Sequence, residues 1–140
     1  MFAKLRSKGG FSLVELIVVI VILGVLIGIA VPNLINFVDQ ARIQADMTNA
    51  SILASNAQIA YSSTIMPNVN GQISSAVIKE HVTPLITNGW PKPRAEDGEF
   101  VVTGRINSDG GLIFTVSVKK TTGETIQVYP NPEQQYRQQR

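Results

Sequence analysis

The sequence predicts an α+β chain, a long N-terminal α-helix packed on a small antiparallel three-stranded sheet. Three observations predict it. An apolar run extends from Phe11 to Val31. The next stretch, residues 33–61, has neither Gly nor Pro and places apolar residues at helical spacing. The final third changes to a period of two between turn residues.

Residues 1–10 form a leader. They hold Lys4, Arg6 and Lys8, no acid, and end in Gly9-Gly10. From Phe11 to Val31 the single charge is Glu15, and from Leu16 to Val31 every residue is apolar or glycine. A bilayer core of ~30 Å needs about 20 helical residues, so residues 11–32 read as a membrane-spanning helix. The basic leader then stays cytoplasmic and the rest of the chain lies outside. Residues 33–61 read as an amphipathic continuation. Ile43, Met47, Ala50, Ala54, Ala57 and Tyr61 fall on one stripe. Asp39, Arg42 and Asp46 lie on another face, spaced for surface ion pairs worth ~0.2–0.5 kcal/mol. The expected element is one helix over 11–61, bent at Pro32 and ~75 Å long at ~1.5 Å per residue.

Residues 62–93 read as a linker and a short helix. Ser62–Gly71 is the linker, 73–82 the helix, and "NGWPKP" at 88–93 a loop. Trp90 in that loop is expected to anchor it on the sheet, and His81 to be a polar surface residue. Residues 94–130 read as the sheet, with strands at 99–106, 112–119 and 124–129. In the middle strand Leu112, Phe114, Val116 and Val118 alternate with Ile113, Thr115, Ser117 and Lys119. "NSDGG" and "TTG" supply hairpin turns between the strands. A three-stranded meander buries one face, and the apolar stripe of 33–61 is its cover. The tail, 131–140, is polar and expected to fray.

Composition narrows the chemistry. Without cysteine there is neither a disulfide framework nor a thiolate metal site. The single His81 excludes a site with two imidazoles. Glu96, Asp97 and Glu99 cluster near Gly98 but lack the spacing of a calcium loop. No metal and no cofactor is expected. No nucleophile–base arrangement or phosphate loop is present, so the chain does not read as an enzyme. Three of the twelve basic residues lie in the leader, which leaves the remainder with one more acid than base. The basic pI therefore does not argue for nucleic acid, which needs a basic face. Ile113, Thr115, Ser117, Lys119 and Lys120 offer only a thin strip.

Glu15 demands an explanation, since a carboxylate at the bilayer centre costs ~2.5–3.5 kcal/mol on insertion scales. An ordinary secretory signal ending at the small-x-small triplet Gly28-Ile29-Ala30 does not provide one. Neither does a plain single-pass anchor, and neither accounts for Gly9-Gly10-Phe11. Gly24 and Gly28 have the spacing of a generic helix-packing motif. Gly24 and Pro32 also bracket the stretch least committed to helix, at ~1 and ~3 kcal/mol relative to Ala. A hinge at Gly24, Gly28 and Pro32 is expected, helical in the membrane and extensible in an assembled core.

Residues 8–33, "KGGFSLVELIVVIVILGVLIGIAVPN", resemble the type IV pilin and type II secretion pseudopilin family with its class III signal sequence. The pattern is a short basic leader ending in glycine, then Phe, then an apolar run with a glutamate. The resemblance implies that a prepilin peptidase cuts between Gly10 and Phe11, that the Phe11 amine is N-methylated, and that Glu15 is the assembly carboxylate. That amine, with an ordinary pKa of ~7.7–8.0, is a cation at nearly the depth of Glu15. Pairing within a subunit or with a neighbour neutralises both, and a neighbour pair sets subunit register. The resemblance also implies local unwinding between Gly24 and Pro32 in fibres. The implied partners are further copies in a helical filament, the peptidase, an inner-membrane assembly platform and the membrane. The implied role is a structural, major-pilin-like subunit, first in the cytoplasmic membrane and then in an extracellular or periplasmic filament. The alternatives are a major pseudopilin of type II secretion, a DNA-uptake pseudopilus and, more distantly, a single-pass membrane-anchored binding module.

Overall fold

The structure is a computed structural model and describes residues 10–133 and Tyr136. The leader before Gly10, with Lys4, Arg6 and Lys8, lies outside the described residues, as does most of the tail after Glu133. Along the chain come α1 (Leu13–Ser63), β1 (Gln72–Ile73), α2 (Ser75–Val82), a 3-10 turn (Thr83–Leu85), β2 (Gly98–Ile106), β3 (Leu112–Lys120) and β4 (Thr125–Tyr129). Two compact units divide at Phe37/Val38.

The first unit holds the apolar part of α1. Every large apolar residue from Leu13 to Phe37 is at least 45% exposed, so this part has no protein cover of its own. By length and composition α1 is long and apolar enough to cross a membrane. The helix is unbroken from Leu13 to Ser63 with Pro32 inside it. Pro32 removes the amide that would pair with the Gly28 carbonyl. One turn back, the Asn33 side-chain amide donates to the Ile29 carbonyl at 3.2 Å.

The second unit is the remainder of α1 laid over an antiparallel meander, in the order β1-β2-β3-β4. Four alanines, Ala50, Ala54, Ala57 and Ala60, join Ile43 and Leu53 on the buried face of α1. Phe100, Val102, Phe114, Val116, Val118, Ile126 and Val128 meet them from the sheet. Met47 and Tyr61, expected on the stripe, lie at its rim. The register pairs Phe100 with Val118, Val102 with Val116 and Gly104 with Phe114. Gly104 is required there, because a Cβ would stand 2.9 Å from the Phe114 ring and 3.3 Å from Ile73. Phe114 in turn meets Tyr61 edge-to-face, with centroids 6.5 Å apart.

The sheet has four strands where the sequence reading expects three. The added strand, β1, pairs Gln72 with Arg105 and Ile73 with Gly104. It starts from a two-residue turn, Asn70-Gly71, at φ +51° and +73°. The Val69 and Gln72 amides each donate to the other's carbonyl across that turn. An Asn-Gly pair with positive φ at both residues is the tight hairpin geometry. The expected linker is therefore partly a hairpin. The short helix starts at Ser75 rather than 73, since β1 takes Ile73 and Ser74 is the N-cap, accepting from the Val77 amide.

Candidate assembly site

Three side chains decide how α1 begins. Gly10 and Phe11 are exposed and precede the helix, Phe11 at 86%. Ser12 is the N-cap, since its carbonyl accepts the first helical bond, from the Leu16 amide at 3.2 Å. Its hydroxyl accepts from the Val14 amide at 3.3 Å. Glu15, three residues on, reaches back so that Oε2 accepts from the Ser12 amide at 2.8 Å. The Glu15 contact is that of a capping box, while the Ser12 hydroxyl caps the second helical amide rather than the third. Together they satisfy donors that a helix start otherwise leaves unpaired, and they favour a negative charge beside the positive end of the helix. The lone carboxylate of the apolar run is thus held by its own chain. The sequence reading pairs Glu15 only with an amine at Phe11. The Ser-x-x-Glu spacing of Ser12 and Glu15 is the signal for this additional partner.

The geometry leaves the Gly10–Phe11 peptide outside the helix and one residue before the capped turn. Gly24, Gly28 and Pro32 lie further along the same unbroken helix. Nothing stands within 4 Å of where a Cβ would be on Gly10, Gly24 or Gly28, so no packing inside a single chain requires glycine there.

A second polar centre lies in the other unit. Asp46 has no exposure. Its carboxylate accepts from the Arg94 amide at 2.8 and 2.9 Å through its two oxygens and from the Ala95 amide at 2.8 Å. The Tyr136 hydroxyl donates to Oδ2 at 2.6 Å. Tyr136 is itself fully buried. Burial pushes its phenol well above the usual range, and the hydrogen bond to Asp46 adds to the shift. This corrects two expectations. Asp46 is not part of a surface charge ladder, where only Arg42 and Asp39 pair, at 3.3 Å. The polar tail is also not frayed throughout, because Tyr136 returns to the core. The carboxylate ties α1, the loop before β2 and the C-terminal segment in a chain without cysteine.

Two further residues resolve. Trp90 donates from Nε1 to the Phe100 carbonyl at 3.0 Å, with Lys79 Nζ 5.5 Å from its ring centroid, which anchors the loop on β2. Lys120 does not join the outer strip of β3. Its ammonium lies 3.0 Å from Glu96 and 3.4 Å from Glu124. The hydrogen bond to Glu96 is the largest influence holding its pKa above the ordinary value. Among the described residues no group of three or more His, Asp or Glu side chains could hold a metal ion.

Residues 5–31 match the prokaryotic N-terminal methylation motif. The chain is also similar to the type IV narrow pilus major component PilA5 of Thermus thermophilus, 47% identical over 49 residues. That match covers 34% of this chain and 41% of the relative, less than half the length of either. No solved structure matches.

Proposed function

We propose, for a chain whose N-terminal segment is similar to that of a type IV pilin, the role of a structural subunit of a pilus filament. The leader is removed between Gly10 and Phe11, and the subunit polymerises through α1. The observation that carries this reading is the pairing of a wholly exposed apolar helix with one carboxylate at its start. The apolar part of α1 is covered by lipid before assembly and by other copies afterwards. Nearly uniform apolar helices can slide past one another with little penalty, so a polar contact is needed to fix their register.

Glu15 supplies that contact. Hydrolysis of the Gly10–Phe11 bond leaves a carboxylate on Gly10 and an ammonium on Phe11. Before the cut the Phe11 nitrogen is an amide without charge. After it, a cation stands one residue upstream of the capping box. Oε2 of Glu15 is held by the Ser12 amide, and the carboxylate is the acceptor for the ammonium of an incoming neighbour. N-methylation at Phe11 keeps the charge and adds apolar surface. Leader removal is therefore the step that licenses assembly. The basic leader holds the precursor with its N-terminus in the cytoplasm, and copies join head to tail without closing, which gives a filament.

The test is Glu15→Ala in the full chain. Membrane insertion and leader removal stay at the parental level. The mass of sheared fibres falls at least about tenfold, the effect of losing ~1.4 kcal/mol per contact. A parental fibre yield refutes the role.

A further inference from the structure

The sheet has an unfinished edge. β3 pairs with β2 along its whole length, from Leu112 to Lys120. On its other side β4 stops at Tyr129, opposite Val116. In an antiparallel ladder successive residues turn their amide and carbonyl to alternate sides. The Asn107 amide donates to the Gly111 carbonyl across the β2–β3 turn, and the Lys120 amide donates to the Glu124 carbonyl across the next. That alternation directs the N–H and C=O groups of Leu112 and Phe114 toward the side that β4 has left. Among the described residues no strand occupies it.

This edge forms one wall of a cleft of about 450 Å³. Ser55, Gln58 and Ile59 of α1 form the other. None of the residues lining the cleft carries a charge. Ile59 on α1 is 56% exposed, and Ile113, at the edge of β3 on the face turned away from α1, is 46% exposed. A free strand edge beside apolar side chains is the arrangement that accepts an extended segment by strand addition.

The same chain carries a matching protrusion. Ile65, in the loop between α1 and β1, is 95% exposed, while its neighbour Met66 is buried. Val69 further along is 75% exposed. From Met47 to Ile78 there is no Asp, Glu, Lys or Arg. Loop and cleft can therefore be desolvated against each other without burying a charge.

We propose that the loop around Ile65 of one copy docks in the cleft between α1 and the open edge of β3 of the next copy. This rests on the filament reading above and names a contact between the second units. The cleft is too small to hold a free partner, since stable interfaces bury ~800 Å² per side. It suits copies already held together by α1. Protrusion and cleft are different patches of one chain, so the contact is heterologous and repeats without closing. Main-chain bonds from Leu112 and Phe114 supply the attachment, and Ile65 against Ile113 on the outer face of the edge supplies the specificity.

The absence of cysteine gives a clean test. Two full-length chains, Ile65→Cys and Ile113→Cys, are co-expressed, and their fibres are sheared and oxidised. Disulfide-linked dimers of the two chains are expected. The pair Ile65→Cys with Lys119→Cys, at the far end of β3, gives none. Intact fibres in which the first pair fails to cross-link, or in which the second links as well, overturn the proposal. A charge in the contact is the second arm. Ile65→Asp and Ile113→Asp each lower fibre yield several-fold, while leader removal and the melting temperature of the detergent-solubilised subunit do not change. Parental yield from both also overturns it. Failure of the filament reading looks different, because Glu15→Ala then assembles normally.

Discussion

Asp46 is a charge placed where charges are rarely tolerated, and its surroundings explain why it is tolerated. Two amide N–H groups, that of Arg94 shared between both oxygens, and one phenol hydroxyl donate to its carboxylate. Hydrogen bonds to charged groups are worth ~1.5–3 kcal/mol each, and removing one partner leaves the others unsatisfied. Asp46→Ala should therefore cost about 3 kcal/mol or more in chemical unfolding of the subunit. Tyr136→Phe removes one of the three donors and should cost about 1.5–3 kcal/mol at neutral pH. The same residue gives the fold an alkaline limit. The neutral phenol is the form held in the folded state. In the unfolded chain it ionises near ~10, so above that pH the folded state binds more protons. Its contribution is complete below pH ~10 and is lost as pH rises further. Lys120 acts in the same sense, through the hydrogen bond to Glu96. Melting temperature against pH should fall above ~10 in the parent and fall less steeply in Tyr136→Phe. Glu15 was legible in the sequence because nothing else in its run is charged. The role of Asp46 was not, since its partners lie 48, 49 and 90 residues away.

At the scale of elements, legibility followed local pattern. The β2–β4 strands announced themselves by a period of two and by their turns, and α1 by an uninterrupted spacing through residues 33–61. β1 is only two residues long and carries no period. Its one local sign was Asn70-Gly71, which marks a turn as readily as a linker. The contact between α1 and the sheet depends on four alanines, whose small side chains allow close approach. Ala57 has no exposure, and Ala57→Leu should lower stability by ~1–3 kcal/mol through overpacking, measured by chemical unfolding. The stretch from Gly24 to Pro32 is helical in the single chain. Its weak propensity predicts that it extends within a fibre, where neighbouring copies can satisfy the freed carbonyls. A fibre map with continuous α-helix from Gly24 through Asn36 would contradict that.

For the whole molecule, the two units have opposite needs. The second closes its own core and leaves no buried side-chain polar atom unpaired among the described residues. The first has no core at all and exposes apolar surface far beyond what a soluble monomer carries. On the proposed function, a lipid bilayer and then a bundle of identical helices satisfy it in turn. In the proposed assembly, what converts one state into the other is the new amine at Phe11, beside a carboxylate already held in place by Ser12. The most direct test is the intact mass of the subunit released from sheared fibres, with its N-terminus sequenced by fragmentation. A chain that starts at N-methylated Phe11 is the predicted result. A chain that starts at Met1 or at Val31 contradicts it.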